Sequence, residues 1–191
     1  LLAGRYDSEP LIHEVAVTSC MSYTAEPFFL PTNEPSVVRP LTQAGFKALM
    51  YKQCLLHAVE DYAPWKTTLV EIPLNPLWLP GAKTGDVAFT EEVMRSFRHS
   101  FGRRCIFDNH DLDAKPPGDI SKIYAIMKQL GPPIEFQTYR ETPPDFDGTI
   151  KLGVSLGAGS IELWQDYKGF PLEPVDRLKQ WASLLDEGNG R

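Results

Sequence analysis

Five times along the 191-residue chain a short apolar run ends in polar residues and gives way to a stretch of helical character. The runs are Val15-Ala16-Val17, Thr68-Leu69-Val70-Glu71-Ile72, Cys105-Ile106-Phe107, Ile134-Glu135-Phe136 and Ile161-Glu162-Leu163-Trp164. Strands that alternate with helices form βα units, because each helix returns the chain to the starting end of the sheet, so the strands run parallel. In such α/β sheets ligands collect at the carboxyl ends of the strands. The length suits a single domain over residues 1–191 with a real core.

The punctuation between the runs places the elements. Strand one is predicted over Glu14 to Met21, followed by a loop rich in Pro, Phe and Asn from Ala25 to Pro40. A helix follows over Gln43 to Asp61, capped by Thr42, with Phe46, Leu49, Met50, Leu56 and Val59 on one face. Strand two covers Thr67 to Pro73, and its loop carries Asn75, Pro76, Trp78 and Pro80. The next helix starts after Thr90, with Glu91 and Glu92 where the helix dipole favours acid. Strand three is Cys105 to Asn109. Asp119 caps a helix to Leu130, stopped by Gly131 and Pro132-Pro133. Strand four is Ile134 to Thr138, then a short helix runs from Thr149 to near Gly157, with Gly153, Gly157 and Gly159 read as close helix–sheet packing. Strand five is Ser160 to Gln165. Pro174 opens a last helix with Val175, Leu178, Trp181, Ala182 and Leu185 as its buried stripe, and residues 186–191 form a frayed tail.

Charge and cysteine usage exclude several function classes. The net charge is −6 without a Lys/Arg-rich run. Nucleic acid and anionic membrane surfaces both need clustered positive charge, so neither is an expected partner. No run approaches a membrane span. Cys20, Cys54 and Cys105 show no CxxC spacing and read as buried thiols rather than a disulfide frame or a zinc site. No signal-peptide pattern is present and the chain opens on Leu1, which leaves the compartment open between a mature chain and a piece of a longer one.

The faces of the strands follow from one rule. In a barrel the outer surface packs on helices and must be apolar, so polar side chains within a strand point inward. That rule places Glu71, Glu135 and Glu162 inside, and on strand three Phe107 and Asn109. Gln137, Tyr139 and Trp164 follow one or two steps nearer the carboxyl rim. A cleft of acids, amides and aromatic rings suits a sugar: carboxylates move protons, amides bind hydroxyls, and indole faces stack on pyranose rings.

On these residues the chain resembles the carboxyl-terminal half, strands four to eight, of the (β/α)8-barrel glycoside hydrolases, in the retaining clan that includes β-mannanases and cellulases. Ala3-Gly4-Arg5-Tyr6-Asp7 is similar to the segment before strand four. Ser22-Tyr23-Thr24-Ala25-Glu26-Pro27 is similar to the end of strand four, where that clan keeps its acid/base glutamate. The helix from Gln43 to Asp61 followed by Leu69 to Asn75 looks like helix four entering strand five. Gly153 to Trp164 looks like the final helix and strand eight. The resemblance implies an α/β, TIM-barrel-like fold of five βα units forming a partial (β/α)8 barrel. It implies Glu26 as proton donor, Glu135 as second carboxylate, and a carbohydrate as partner, in an extracellular setting, with no cofactor and no metal. Glu71, Asn75, Trp78, Asn109, His110, Gln137, Tyr139, Glu162 and Trp164 become the expected substrate contacts.

Two departures set limits on that reading. The clan places its nucleophilic glutamate at the end of strand seven, where this chain has Gln137 or Thr138, and an amide cannot form a glycosyl-enzyme. Strands one to three have no counterpart, so a partner chain or a further N-terminal segment is expected to complete the barrel and cover its edge. Both departures favour an alternative: a catalytically inactive barrel serving as a glycan-binding or assembly module of a larger extracellular or virion particle. A third reading, a metal-dependent hydrolase built on Asp108, His110, Asp111 and Asp113, has the right residue types but no recognised ligand spacing. A solvated rim cluster is the simpler account.

Overall fold

All five predicted strands form: β1 (Glu14–Ala16), β2 (Leu69–Pro73), β3 (Cys105–Leu112), β4 (Ile134–Thr138) and β5 (Ser160–Glu162). They belong to a computed structural model that describes residues 2–18, 20, 35–169 and 172–188. The chain divides into two compact units, Leu1–Cys105 and Ile106–Arg191. Within each unit every strand pairing is parallel, which makes this an α/β protein, as the alternation of runs predicts. Glu26 and the stretch Ser22 to Pro27 lie outside the described residues. No helix among the described residues is long and apolar enough to cross a membrane.

In the first unit β1 pairs with β2 so that Val15 stands opposite Val70 and Ala16 opposite Glu71. Alternation along β2 sends Val70 and Ile72 into the core and half-buried Glu71 to the other face. The helices differ from their sequence signals. Residues Pro35–Gln43 form α2, with Pro40 inside it, where Pro35 to Pro40 are expected in a loop and Gln43 at the start of the next helix. Thr42 caps nothing; its Oγ1 donates to the Val38 carbonyl at 2.9 Å within α2. Gly45, at φ +86°, breaks the chain away from α2, in a conformation that favours glycine. The next helix, α3 (Ala48–Tyr62), therefore starts later than expected and buries Leu55 and Ala58. Leu49 and Met50, placed with Leu56 and Val59 on one apolar face from sequence, are 68% and 60% exposed.

Helix α4 (Val87–Phe101) begins at Asp86, not after Thr90. The Asp86 carboxylate accepts from the Phe89 N–H at 3.0 Å and from Lys52 Nζ of α3 at 2.5 Å. The Lys52 hydrogen bond, working against burial, holds the Asp86 carboxyl below the usual carboxylate range. Lys52 Nζ also lies 4.6 Å from the centre of the Phe89 ring. Thr90 is instead a buried clamp one turn into the helix. Its hydroxyl accepts from the Leu77 N–H and lies 3.2 Å from the Asn75 carbonyl, which fixes the loop after β2.

The cysteine expectation is corrected. Cys20 and Cys54 form a disulfide with Cα atoms 5.9 Å apart, so the strand-one exit is bonded to α3. The two cysteines are 34 positions apart in sequence, and no local pattern announces such a pairing. Cys105 is a buried free thiol, as expected, and burial pushes it up to about 12, which keeps it protonated and inert.

A single carboxylate ties the chain start to β2. Asp7 follows α1 (Ala3–Tyr6), and its side chain accepts N–H bonds from Lys66, Thr67 and Thr68 at 2.8 to 3.0 Å. Burial opposes its ionisation, but these amides together outweigh it and hold the carboxyl well below its usual range. A carboxyl depressed on folding stabilises the protein above its unfolded pKa, about 3.9, and that contribution is lost as pH falls toward the folded value. Urea midpoints of the wild type and Asp7→Asn are expected to differ fully at pH 6 and to converge below about pH 4. A gap that stays constant from pH 6 to pH 3 would remove this role.

In the second unit β3, β4 and β5 pair in chain order. Helix α5 (Gly118–Leu130) buries Ile123, Tyr124 and Met127 and ends at Gly131, whose φ is +79°. Helix α6 (Phe146–Leu156) starts earlier than expected because Asp145 accepts from the Gly148 N–H at 2.9 Å. It stops at left-handed Gly157, as the sequence indicates. A Cβ on Gly153 would stand 2.7 Å from Ile161 Cδ1, so α6 does approach the sheet closely there. Helix α7 (Val175–Gly188) follows Pro174. Trp181 is its anchor, packed with Phe146 and Ile150, while Val175 of the expected stripe is exposed.

Candidate functional site

Parallel register decides which side chains share a face, because in-register neighbours point the same way and stand about 4.8 Å apart at Cα. Asp108 is level with Glu135, and Glu135 with Ser160. Gln137 is level with Glu162, two residues further toward the carboxyl ends. Asp108, His110, Glu135, Gln137, Ser160 and Glu162 therefore lie on one polar face of the second unit's sheet. The opposite face carries Phe107, Ile134, Phe136 and Ile161, packed beneath the helices.

This arrangement reverses the expectation for strand three. Phe107 and Asn109, predicted to face inward, are in register with Ile134 and Phe136 on the apolar side. Asn109 is 0% exposed, and its Oδ1 accepts from the Asp111 N–H at 3.0 Å. It is a structural amide at the turn of the strand and not a substrate contact. Asp108, offered by the sequence only as a metal or rim residue, stands instead on the polar face level with Glu135. Charged side chains at 108 and 110 have the period of a strand, and that pair outweighs one amide at 109. The signal was available in the spacing.

Asp108 and His110 form the most closely coupled pair on the face. His110 Nε2 lies 2.6 Å from Asp108 Oδ2, with the Asp108 side chain buried and that of His110 largely so. A carboxylate held against an imidazole fixes the orientation of the ring. Just beyond them β3 carries a bulge: three residue steps from Asn109 to Leu112 match two steps from Phe136 to Thr138. The bulge returns Leu112 to the apolar face, where it is buried and would touch a Cβ on Gly153.

Glu135 and Gln137 are half-buried, and Glu162 is exposed. At the carboxyl ends stand two aromatic rings. Tyr139 is 56% exposed, with the Arg140 guanidinium 5.6 Å from its ring centre. Trp164 is 39% exposed, and its Nε1 donates to the Thr138 carbonyl at 2.8 Å, which pins the indole beside the end of β4. Asp113 belongs to the turn after β3. It accepts from the Lys115 N–H at 3.0 Å and lies 3.6 Å from Arg140 Nε, the behaviour of a rim residue. Burial first, and then the charges of Asp111, Asp113 and Asp108, push the Tyr124 hydroxyl well above the usual phenol range.

The other expected contacts belong to the first unit. Glu71 is half-buried on the non-core face of β2, and Asn75 and Trp78 are half-buried in the loop that Thr90 clamps. The second unit thus brings together His110, Glu135, Gln137 and Glu162, adds Asp108, and sets Tyr139 and Trp164 at the strand ends. These groups can donate and accept protons, bind hydroxyls through an amide and carboxylates, and stack on a flat apolar ring. The chain matches no protein-family model, no curated protein and no solved structure.

Proposed function

We propose that this chain is a carbohydrate-directed protein built on the glycoside-hydrolase plan, its five βα units being part of a (β/α)8 barrel, and that it cleaves a polysaccharide or glycan by carboxylate acid/base chemistry. The observation that carries this reading is the polar face of the second unit, with Asp108 level with Glu135, and Gln137 level with Glu162, below two exposed aromatic rings. Glu135 is the carboxylate best placed for the reacting bond, since it is half-buried and centrally paired. Asp108 orients His110 beside it, Gln137 and Glu162 bind hydroxyls, and Trp164 and Tyr139 support a sugar ring. Glu26 is the proton donor by resemblance alone. A second chain or further sequence supplies the remaining strands, and the Cys20–Cys54 bridge supports an oxidising, extracellular setting.

The test is hydrolysis of mannan, xylan and β-glucan by the wild type, Glu135→Gln and Glu26→Gln. Each substitution is expected to lower turnover by about 10²-fold or more, the usual contribution of a positioned acid or base. Turnover that both variants leave unchanged would sink the assignment. A second reading is favoured by Gln137, an amide at the depth where a retaining enzyme needs a nucleophilic glutamate. It makes the chain a binding or assembly module, and saturable glycan binding without turnover by the wild type would select it.

A further inference from the structure

The Cys20–Cys54 bridge takes no part in the proposed chemistry, and it is reachable. Cys54 is exposed on α3 and Cys20 is half-buried. Cys20 also holds a φ of +64°, the left-handed region that residues other than glycine adopt at a cost. The same stretch of chain is bonded to α3 a second time. The Thr18 N–H donates to the Tyr62 hydroxyl at 2.8 Å, and the two hydroxyls lie 3.2 Å apart. A covalent link and one hydroxyl thus share the task of holding the exit of β1 to α3.

We propose that this bridge is a redox switch of the first unit, closed in an oxidising compartment and opened by a dithiol. A thiolate of the dithiol attacks Cys54 Sγ, on the more exposed of the two residues. The S–S bond breaks, and Cys20 leaves as a thiolate and takes up a proton. The second thiol of the reductant then attacks the mixed disulfide and departs as an oxidised ring, releasing Cys54. Two electrons and two protons pass from the dithiol to the protein. Exposed disulfides are the ones that exchange in this way. Opening frees Cys20 from its left-handed backbone and leaves the Tyr62 contact as the remaining bond between Thr18 and α3 among the described residues. By chain entropy, a closed loop of 34 residues is worth roughly 10²–10³-fold in the folded-to-unfolded ratio.

The experiment counts alkylated thiols by mass after treatment of the folded chain with dithiothreitol, and compares urea midpoints before and after. Without reductant the folded chain is expected to gain no label, and the denatured chain one, on Cys105. With reductant the folded chain should gain two, Cys105 staying protected in the core, and its urea midpoint should fall. The double variant Cys20→Ser/Cys54→Ser should unfold at the reduced midpoint and ignore dithiothreitol. Should that variant fail to fold, the reduced wild type supplies the same comparison. Three labels on the unreduced denatured chain, a bridge that survives dithiothreitol in the folded chain, or an unchanged midpoint would each overturn the proposal.

Discussion

Replacing Phe136 with alanine is expected to lower stability by about 3–5 kcal/mol, the usual cost of truncating a buried aromatic. Phe136 is 1% exposed at the centre of β4, level with Asn109 and Ile161, and the Tyr124 ring meets it edge-on at 5.2 Å. Truncation removes apolar area from the core and leaves a hole between the sheet and α5, which a well-packed interior closes only in part. Domains are stable by about 5–15 kcal/mol, so this loss is a large share of the total. Phe136→Leu, which keeps most of the volume, should cost far less. Glu135 and Gln137 flank Phe136 and project to the other face, so the alanine variant should also blunt any activity before it unfolds. Urea denaturation of the two variants checks the prediction, and a loss under about 1 kcal/mol for alanine would mean the side chain is not the anchor its burial implies.

Trp181→Ala is expected to cost a similar ~3–5 kcal/mol, but by releasing α7. The indole packs on Phe146 and Ile150 of α6, and its Nε1 donates to Asp147 Oδ1 at 3.1 Å. The same carboxylate lies 3.3 Å from Arg177 Nη2, and the Arg177 guanidinium sits 4.6 Å from the centre of the Phe146 ring. One aromatic ring and one carboxylate thus join the last helix to α6. Trp181→Phe separates the two contributions: it keeps the ring in the cluster and drops the hydrogen bond, worth about 1 kcal/mol. Limited proteolysis should cut α7 early in the alanine variant and late in the phenylalanine variant. Equal resistance of both to the protease would assign the hold to Arg177 and Asp147 instead.

What could be read from sequence depended on whether the signal was local. Strand Ile134–Thr138 was legible to the residue because an apolar alternation is bracketed by Gly131 with two prolines and by polar residues. The ends of α5 and α6 were legible for the same reason, since glycine in a left-handed conformation ends a helix wherever it falls. Helix α2 was hidden by Pro35 and Pro40, which read as loop residues although a helix tolerates proline at its start and can absorb one lost bond further in. The phase of β3 is hidden because Asn109 has the chemistry of a site residue, while its buried side chain serves the backbone of Asp111. Disulfide pairing is a property of distance in space, and three cysteines without spacing carry none of that information. The polar face of the second unit is legible in outline: Glu135, Gln137 and Glu162 follow from alternation, Asp108 follows from its spacing to His110, and the register then sets Asp108 level with Glu135.

The bulge between Asn109 and Leu112 gives β3 one residue more than its partner strand can pair. Upstream of it the strand offers charge to the polar face; downstream, Leu112 must reach α6 beside Gly153. Removing one residue there would leave two steps from Asn109 to Leu112 against the two from Phe136 to Thr138, so the strand would pair regularly and Leu112 would keep its face. Adding one would need a second residue held outside the ladder, or Leu112 would turn to the polar face. Anyone grafting a new loop after His110 must therefore count its residues against β4, which sets the register, before choosing what they are.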